Sequence, residues 1–118
     1  MLVIAADGGA EIDMTGAFGL VVRFTVTAGH ESAFDELTAE TVREIAANEP
    51  GTLVYACHRV EGSPRKRTFY ELYRDREAFE AHEAQPHVRR FLTERTPLLD
   101  DIVVELLDLT AAAGIGTP

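Results

Sequence analysis

Each segment of this sequence that reads as a β-strand is apolar on both of its faces. Phe18 to Thr27 sets Leu20, Val22, Phe24 and Val26 on one parity, and Val21 with polar Arg23 and Thr25 on the other. The last such segment, Ile102 to Leu109, sets Ile102, Val104 and Leu106 against Val103, Leu107 and Leu109. Successive side chains of a strand point to opposite faces. A sheet built from these strands therefore needs cover on both sides.

The segments between them supply cover for one side. His30 to Asn48 carries Phe34, Leu37, Thr41 and Ile45 at helical spacing, with acidic residues crowding its first turns, where the helix dipole favours them. Pro50-Gly51 stops it. Thr52 to Glu61 and Arg67 to Arg74 read as strands of one hairpin, joined through Gly62-Ser63-Pro64. Asp75 caps a short helix with Ala78, Phe79 and His82 on one side. Pro86 interrupts that helix and opens a further turn, and Val88, Phe91, Leu92 and Arg95 continue at helical spacing until Pro97. The order β-α-β-β-α(α)-β is the ferredoxin-like split βαβ pattern of the α+β class, an antiparallel sheet with helices on one face. The simplest cover for the other face is the same sheet of a second copy about a two-fold axis. A homodimer stacked sheet to sheet is expected.

The compact domain is expected over 18–109, preceded by a loose lead-in over 1–17 and followed by a flexible tail over 110–118 of small residues, Gly and Pro. A strand at Leu2-Val3-Ile4 is not favoured. The 118 residues carry a formal net charge of −9, which repels phosphate backbones and anionic membrane surfaces. Neither nucleic acid nor membrane is an expected partner. A single cysteine, Cys57, cannot form an intramolecular disulfide or a multi-cysteine zinc site, and reads as a small buried apolar residue. The first residues lack a basic stretch, and no apolar run is long enough to span a bilayer, so a cytoplasmic location is expected.

Phe69-Tyr70-Glu71-Leu72-Tyr73, Ala78-Phe79, His82 and Pro86-His87, together with Glu49-Pro50-Gly51-Thr52, resemble the signature of the antibiotic biosynthesis monooxygenase (ABM) domain. Within it the chain is most similar to the small quinol monooxygenases. The resemblance covers about 18–109 and implies a dimeric α+β barrel. It implies a reaction class as well: oxidation of phenols or hydroquinones by O₂ without metal, flavin or haem. Other members degrade haem or process small carbonyl compounds. The haem degraders carry an Asn, a Trp and a haem-ligating His where an approximate alignment places Val22, His82 and Leu92, so that scheme is not expected here.

No dinucleotide or phosphate-binding motif is present, and no cofactor is expected. O₂ chemistry then needs a substrate that supplies electrons once deprotonated, a general base, donors for the oxyanion and a dry pocket. His82 faces inward beside Phe79 and is the expected proton acceptor. Glu71, mid-strand between Phe69 and Tyr73, is its expected partner; the two could equally form a structural hydrogen bond tying helix to sheet. Tyr55 and Tyr73 are candidate donors, and Phe24, Phe79 and Phe91 candidate pocket walls. His82 and His87 are spaced one residue too far for two ligands on one helical face, with Pro86 between them, so no metal site is expected. Arg65-Lys66-Arg67 reads as a solvated hairpin turn, and Arg23 as half of an ion pair. The expected activity is a cofactor-independent monooxygenase acting on a small phenolic or hydroquinone-type substrate with O₂. The alternatives are a cofactor-free isomerase or lyase on a small carbonyl metabolite, using the same His and Glu, or a non-catalytic dimeric ligand-binding domain.

Overall fold

The computed structural model describes residues 1–115; the end of the expected tail, 116–118, lies outside the described residues. The chain runs β1 (Leu2–Ala5), β2 (Phe18–Val26), α1 (Glu31–Asn48), β3 (Thr52–Arg59), β4 (Lys66–Tyr73), α2 (Arg76–Glu83), α3 (Pro86–Arg95) and β5 (Leu99–Asp108), and closes on β6 (Ala111–Ile115). A turn of 3₁₀ helix over Thr96–Leu98 leads into β5. Four strands form an antiparallel sheet in the order β3-β4-β2-β5. This is the ferredoxin-like α+β arrangement.

Register decides which side chains meet. Leu20 lies opposite Glu71 and Leu106, and Val22 opposite Phe69 and Val104, so all of these share the helix-facing side. Tyr55 of β3 pairs with Glu71 and joins them. The core on that side gathers Phe18, Phe24, Phe34, Phe69, Tyr73 and Phe91, each less than a tenth exposed. Burying one such ring contributes roughly 1.5–3 kcal/mol, so this aromatic layer is the main anchor of the helices. The α1 stripe is buried as its spacing requires, at Phe34, Leu37, Thr38, Thr41 and Ile45. Asp75 caps α2 by accepting from the Ala78 amide at 2.7 Å.

The chain ends differ from the expectation of a loose lead-in and tail. β1 pairs in parallel with β6, Leu2 opposite Ala111 and Val3 opposite Ala112. Val3, Met14 and Ile115 pack with Leu72, which points away from the helices, and half-buried Tyr70 and Val54 join them. Part of the face assigned to a second copy is thus covered by the chain's own termini. Exposed apolar surface is left on the edge strand β5, where Val104 and Leu106 on the helix side are 53% and 63% exposed and Val103 on the opposite face is 47% exposed. Cys57, expected to be buried, is exposed. Arg23 pairs with Glu105 on the neighbouring strand β5. Among the described residues no helix is long and apolar enough to cross a membrane.

Gly51 lets the turn after α1 approach α2 closely. A Cβ there would lie 2.7 Å from the Cβ of Ala78, a distance that forces backbone to move. Gly51→Ala is expected to lower stability by about 1–3 kcal/mol in urea unfolding, as overpacking does. Adding Ala78→Gly should recover most of that loss; no recovery would show that the close approach is not the cause.

Candidate active site

The site is assembled where α1 ends. Glu49 continues the buried stripe of α1 one turn beyond Ile45, and its backbone amide still donates to the Ile45 carbonyl at 3.0 Å. Its side chain is 4% exposed. A carboxylate removed from water is costly unless its oxygens are satisfied, and three groups satisfy this one. Thr52 Oγ1 donates to Oε1 at 2.8 Å, His82 Nδ1 donates to the same oxygen at 2.6 Å, and His87 Nε2 contacts Oε2. Because an ionised carboxylate only accepts, the His82 proton is assigned to Nδ1. The second nitrogen, Nε2, is left as the acceptor of a neutral ring.

Nε2 faces the sheet, where Glu71 Oε1 lies 3.9 Å away, beyond hydrogen-bond length. Glu71 therefore does not orient His82; Glu49 does. The structural alternative, a bond tying helix to sheet, is likewise replaced by one tying α2 to the end of α1. Glu71 is bonded elsewhere: the Tyr73 hydroxyl donates to its Oε1 at 2.5 Å. Burial pushes the Glu71 carboxyl up to about 7, against the pull of the Tyr73 hydroxyl and the Arg95 guanidinium. Burial, with the nearby Glu71 charge, also raises Tyr55 and Tyr73 well above the usual phenol range, so both stay protonated donors at neutral pH.

A cavity of about 130 Å³ opens between α2, α3 and the sheet. Its polar wall is Tyr55, Glu71, His82, Glu83 and Arg95, and Phe79 and Phe91 supply apolar wall. Val104 and Leu106 of the open edge strand stand at its border. Its size is near the roughly 150 Å³ that holds a benzene ring in a protein core. Of the residues expected at the site, Tyr55, Glu71, Phe79, His82 and Phe91 reach this wall. Tyr73 does not: it is fully buried behind Glu71 and acts by holding that carboxyl. Phe24 does not either; it lies deeper, packed on Phe34 and Phe69 with ring centroids 5.2 and 4.7 Å away.

Three site residues escaped the sequence reading. Glu49 enters the sequence pattern only within Glu49-Pro50-Gly51-Thr52, although it stands four residues beyond Ile45 on the buried stripe. His87 enters the sequence pattern only beside Pro86 in the family signature and as a rejected metal ligand. Arg95 sits on the buried stripe of α3 four residues after Phe91, and a cation in an apolar stripe is itself a signal. Its guanidinium lies 5.3 and 5.4 Å from the Phe24 and Phe91 ring centres, and burial lowers its affinity for the proton. Among the described residues it makes no ion pair.

The Glu71 shift carries a stability consequence. The folded carboxyl holds its proton up to about 7 and the unfolded one only to 4.5. Between those values the folded state binds more protons, so stability falls as pH rises, by roughly 3 kcal/mol in total from this group. Glu71→Gln is expected to remove that slope: its melting temperature should match the parent near pH 4.5 and exceed it near pH 8. Equal differences at both pH values would contradict the assignment.

The fold recurs in known proteins. The model of the antibiotic biosynthesis monooxygenase family (ABM) matches residues 17–94. A crystal structure of a Caulobacter crescentus protein described as a "putative antibiotic biosynthesis monooxygenase" superposes with a TM-score of 0.77 at 25% identity, covering 80% of this chain and 91% of that one. A Pseudomonas aeruginosa protein superposes at 0.75 and 25% identity, over 85% of this chain and 100% of the other. One from Mycobacterium tuberculosis shares the fold at 0.73 and 21% identity, over 80% and 95%. Comparison with curated proteins finds no match. With its sheet order, helical layer and match across most of the folded region, the chain belongs to the antibiotic biosynthesis monooxygenase family.

Proposed function

We propose that the chain is a cofactor-independent monooxygenase of the quinol type, acting on a single-ring phenolic or hydroquinone substrate with O₂. The observation that carries this reading is the His82 imidazole, held by Glu49 through one nitrogen and turned with the other toward a small, largely apolar cavity. His82 Nε2 takes the proton of a substrate hydroxyl as general base. The resulting oxyanion is held by the Arg95 guanidinium and by the protonated Glu71 carboxyl, which Tyr73 keeps in place. Tyr55, Phe79 and Phe91 bound the ring.

The quinol then supplies every electron. Quinol plus O₂ gives hydroxyquinone plus water: one oxygen atom enters the ring, the other leaves as water, and the ring loses four electrons. The protein moves one proton, holds the anion and keeps the site dry.

On this reading a second copy covers the exposed apolar residues of β5 and closes the cavity at Val104 and Leu106. Light scattering should return twice the chain mass; a monomer would contradict the covered edge. A cytoplasmic location agrees with the single cysteine.

Oxygen consumption against a panel of monocyclic hydroquinones, in chelator-treated buffer, tests the reading. The parent should consume one O₂ per quinol and release the hydroxyquinone. His82→Ala should lose about 10²–10⁴-fold in kcat, the usual contribution of a positioned base. Equal rates in both proteins would remove His82 from the chemistry. Turnover of a small ketone without O₂ uptake would favour enolisation by the same base, and tight binding without turnover would leave a ligand-binding domain.

A further inference from the structure

A second, larger hollow of about 370 Å³ lies on the opposite flank of the helical layer, between α1 and the far end of β3. It shares no lining residue with the candidate active site. Its size falls in the range of small-molecule sites, roughly 300–1,000 Å³. We propose that this groove binds a small amphipathic carboxylate, with its apolar body on the groove floor and its charged head at Arg43 and Arg59.

The charge distribution carries the argument. The chain bears a net charge of −9, yet Arg43, Arg59 and Arg67 all line this one groove, with Asp35 as its single carboxylate. Arg67 and Asp35 answer each other. Arg67 is 4% exposed and donates through Nε and Nη2 to the two Asp35 oxygens at 2.8 and 3.0 Å, while Nη1 donates to the Pro64 and Lys66 carbonyls at 2.8 and 3.1 Å. The expected solvated turn over 65–67 is thus pinned at Arg67, which forms a fixed and fully committed part of the wall. Arg43 and Arg59 are exposed, and among the described residues neither makes an ion pair. Two uncommitted guanidiniums on one concave surface form a receptor for a carboxylate head.

The rest of the lining sets the kind of body. Val42, Cys57 and Phe69 give the groove an apolar floor, and Thr38 Oγ1 in the same wall is a buried hydroxyl without a hydrogen-bond partner among the described residues. A bare inorganic anion would leave that floor wet. A planar or short aliphatic acid covers it. Phe69 is also the thin partition between the two hollows: its ring lies 5.9 Å from Tyr55 and 6.2 Å from Phe91, both on the active-site wall.

Amide chemical shifts of the full chain during titration with 2-naphthoate test this, with neutral 2-naphthamide as the uncharged match. Naphthoate should shift the amides of residues 39–43 and 57–59 saturably. The double variant Arg43→Gln/Arg59→Gln, altered only at exposed side chains, should bind roughly tenfold more weakly at these amides, a loss suited to two solvent-exposed charge pairs. Naphthamide should bind the parent with a similar loss. Shifts confined to the active-site helices, equal binding of acid and amide, or unchanged affinity in the double variant would each overturn the proposal. So would a change of oligomeric state in the variant, which would make the groove an interface between copies instead.

Discussion

The candidate site depends on one carboxylate buried at the end of a helix. Glu49 sits where α1 gives way to the Pro50-Gly51 turn, and it binds one imidazole from α2 and another from the first turn of α3. Removing one partner of such a buried charge costs several kcal/mol, because the other is left uncompensated. The contact therefore constrains three helices at once. It sets where α2 lies above the sheet, a placement that the close approach of Gly51 to Ala78 also requires. It also selects which nitrogen of His82 faces the cavity.

The proposed chemistry rests on a contrast between two carboxyl groups on either side of the same ring. Glu49 has three donors and serves as a fixed acceptor. Glu71 has one, the Tyr73 hydroxyl, and its burial pushes it up to about 7. Environments that separate the behaviour of two like groups are how one site holds a charge orienter and a proton donor together. Arg95 adds a cation to the same wall, within electrostatic reach of Glu71 and Glu83 but, among the described residues, in an ion pair with neither.

The fold was legible because local pattern and tertiary burial agree. The stripe of α1, the cap at Asp75, the break at Pro86 and the two-faced strands all report packing within a few residues of themselves. The site was half legible. His82 and Glu71 stand out as polar groups on apolar faces, but the pairing between them did not follow from their positions. The partner of His82 comes from a residue 33 positions earlier, which only the approach of α1 to α2 reveals. Tyr73 and Phe24 have the composition of pocket walls, yet their depth places them behind the wall. The pairing of β1 with β6 joins residues about a chain length apart: Leu2-Val3-Ile4 is strand-forming but very short, and its partner is mostly Ala and Gly, which carry little strand signal of their own.

The most direct measurement of the central claim is the tautomer of His82, read from the nitrogen-15 shifts and long-range couplings of the imidazole near pH 8. A protonated Nδ1 and a bare, acceptor-type Nε2 are expected, with that preference lost in Glu49→Gln. A ring protonated at Nε2, or a tautomer indifferent to the loss of Glu49, would mean that this carboxylate does not aim the base at the cavity.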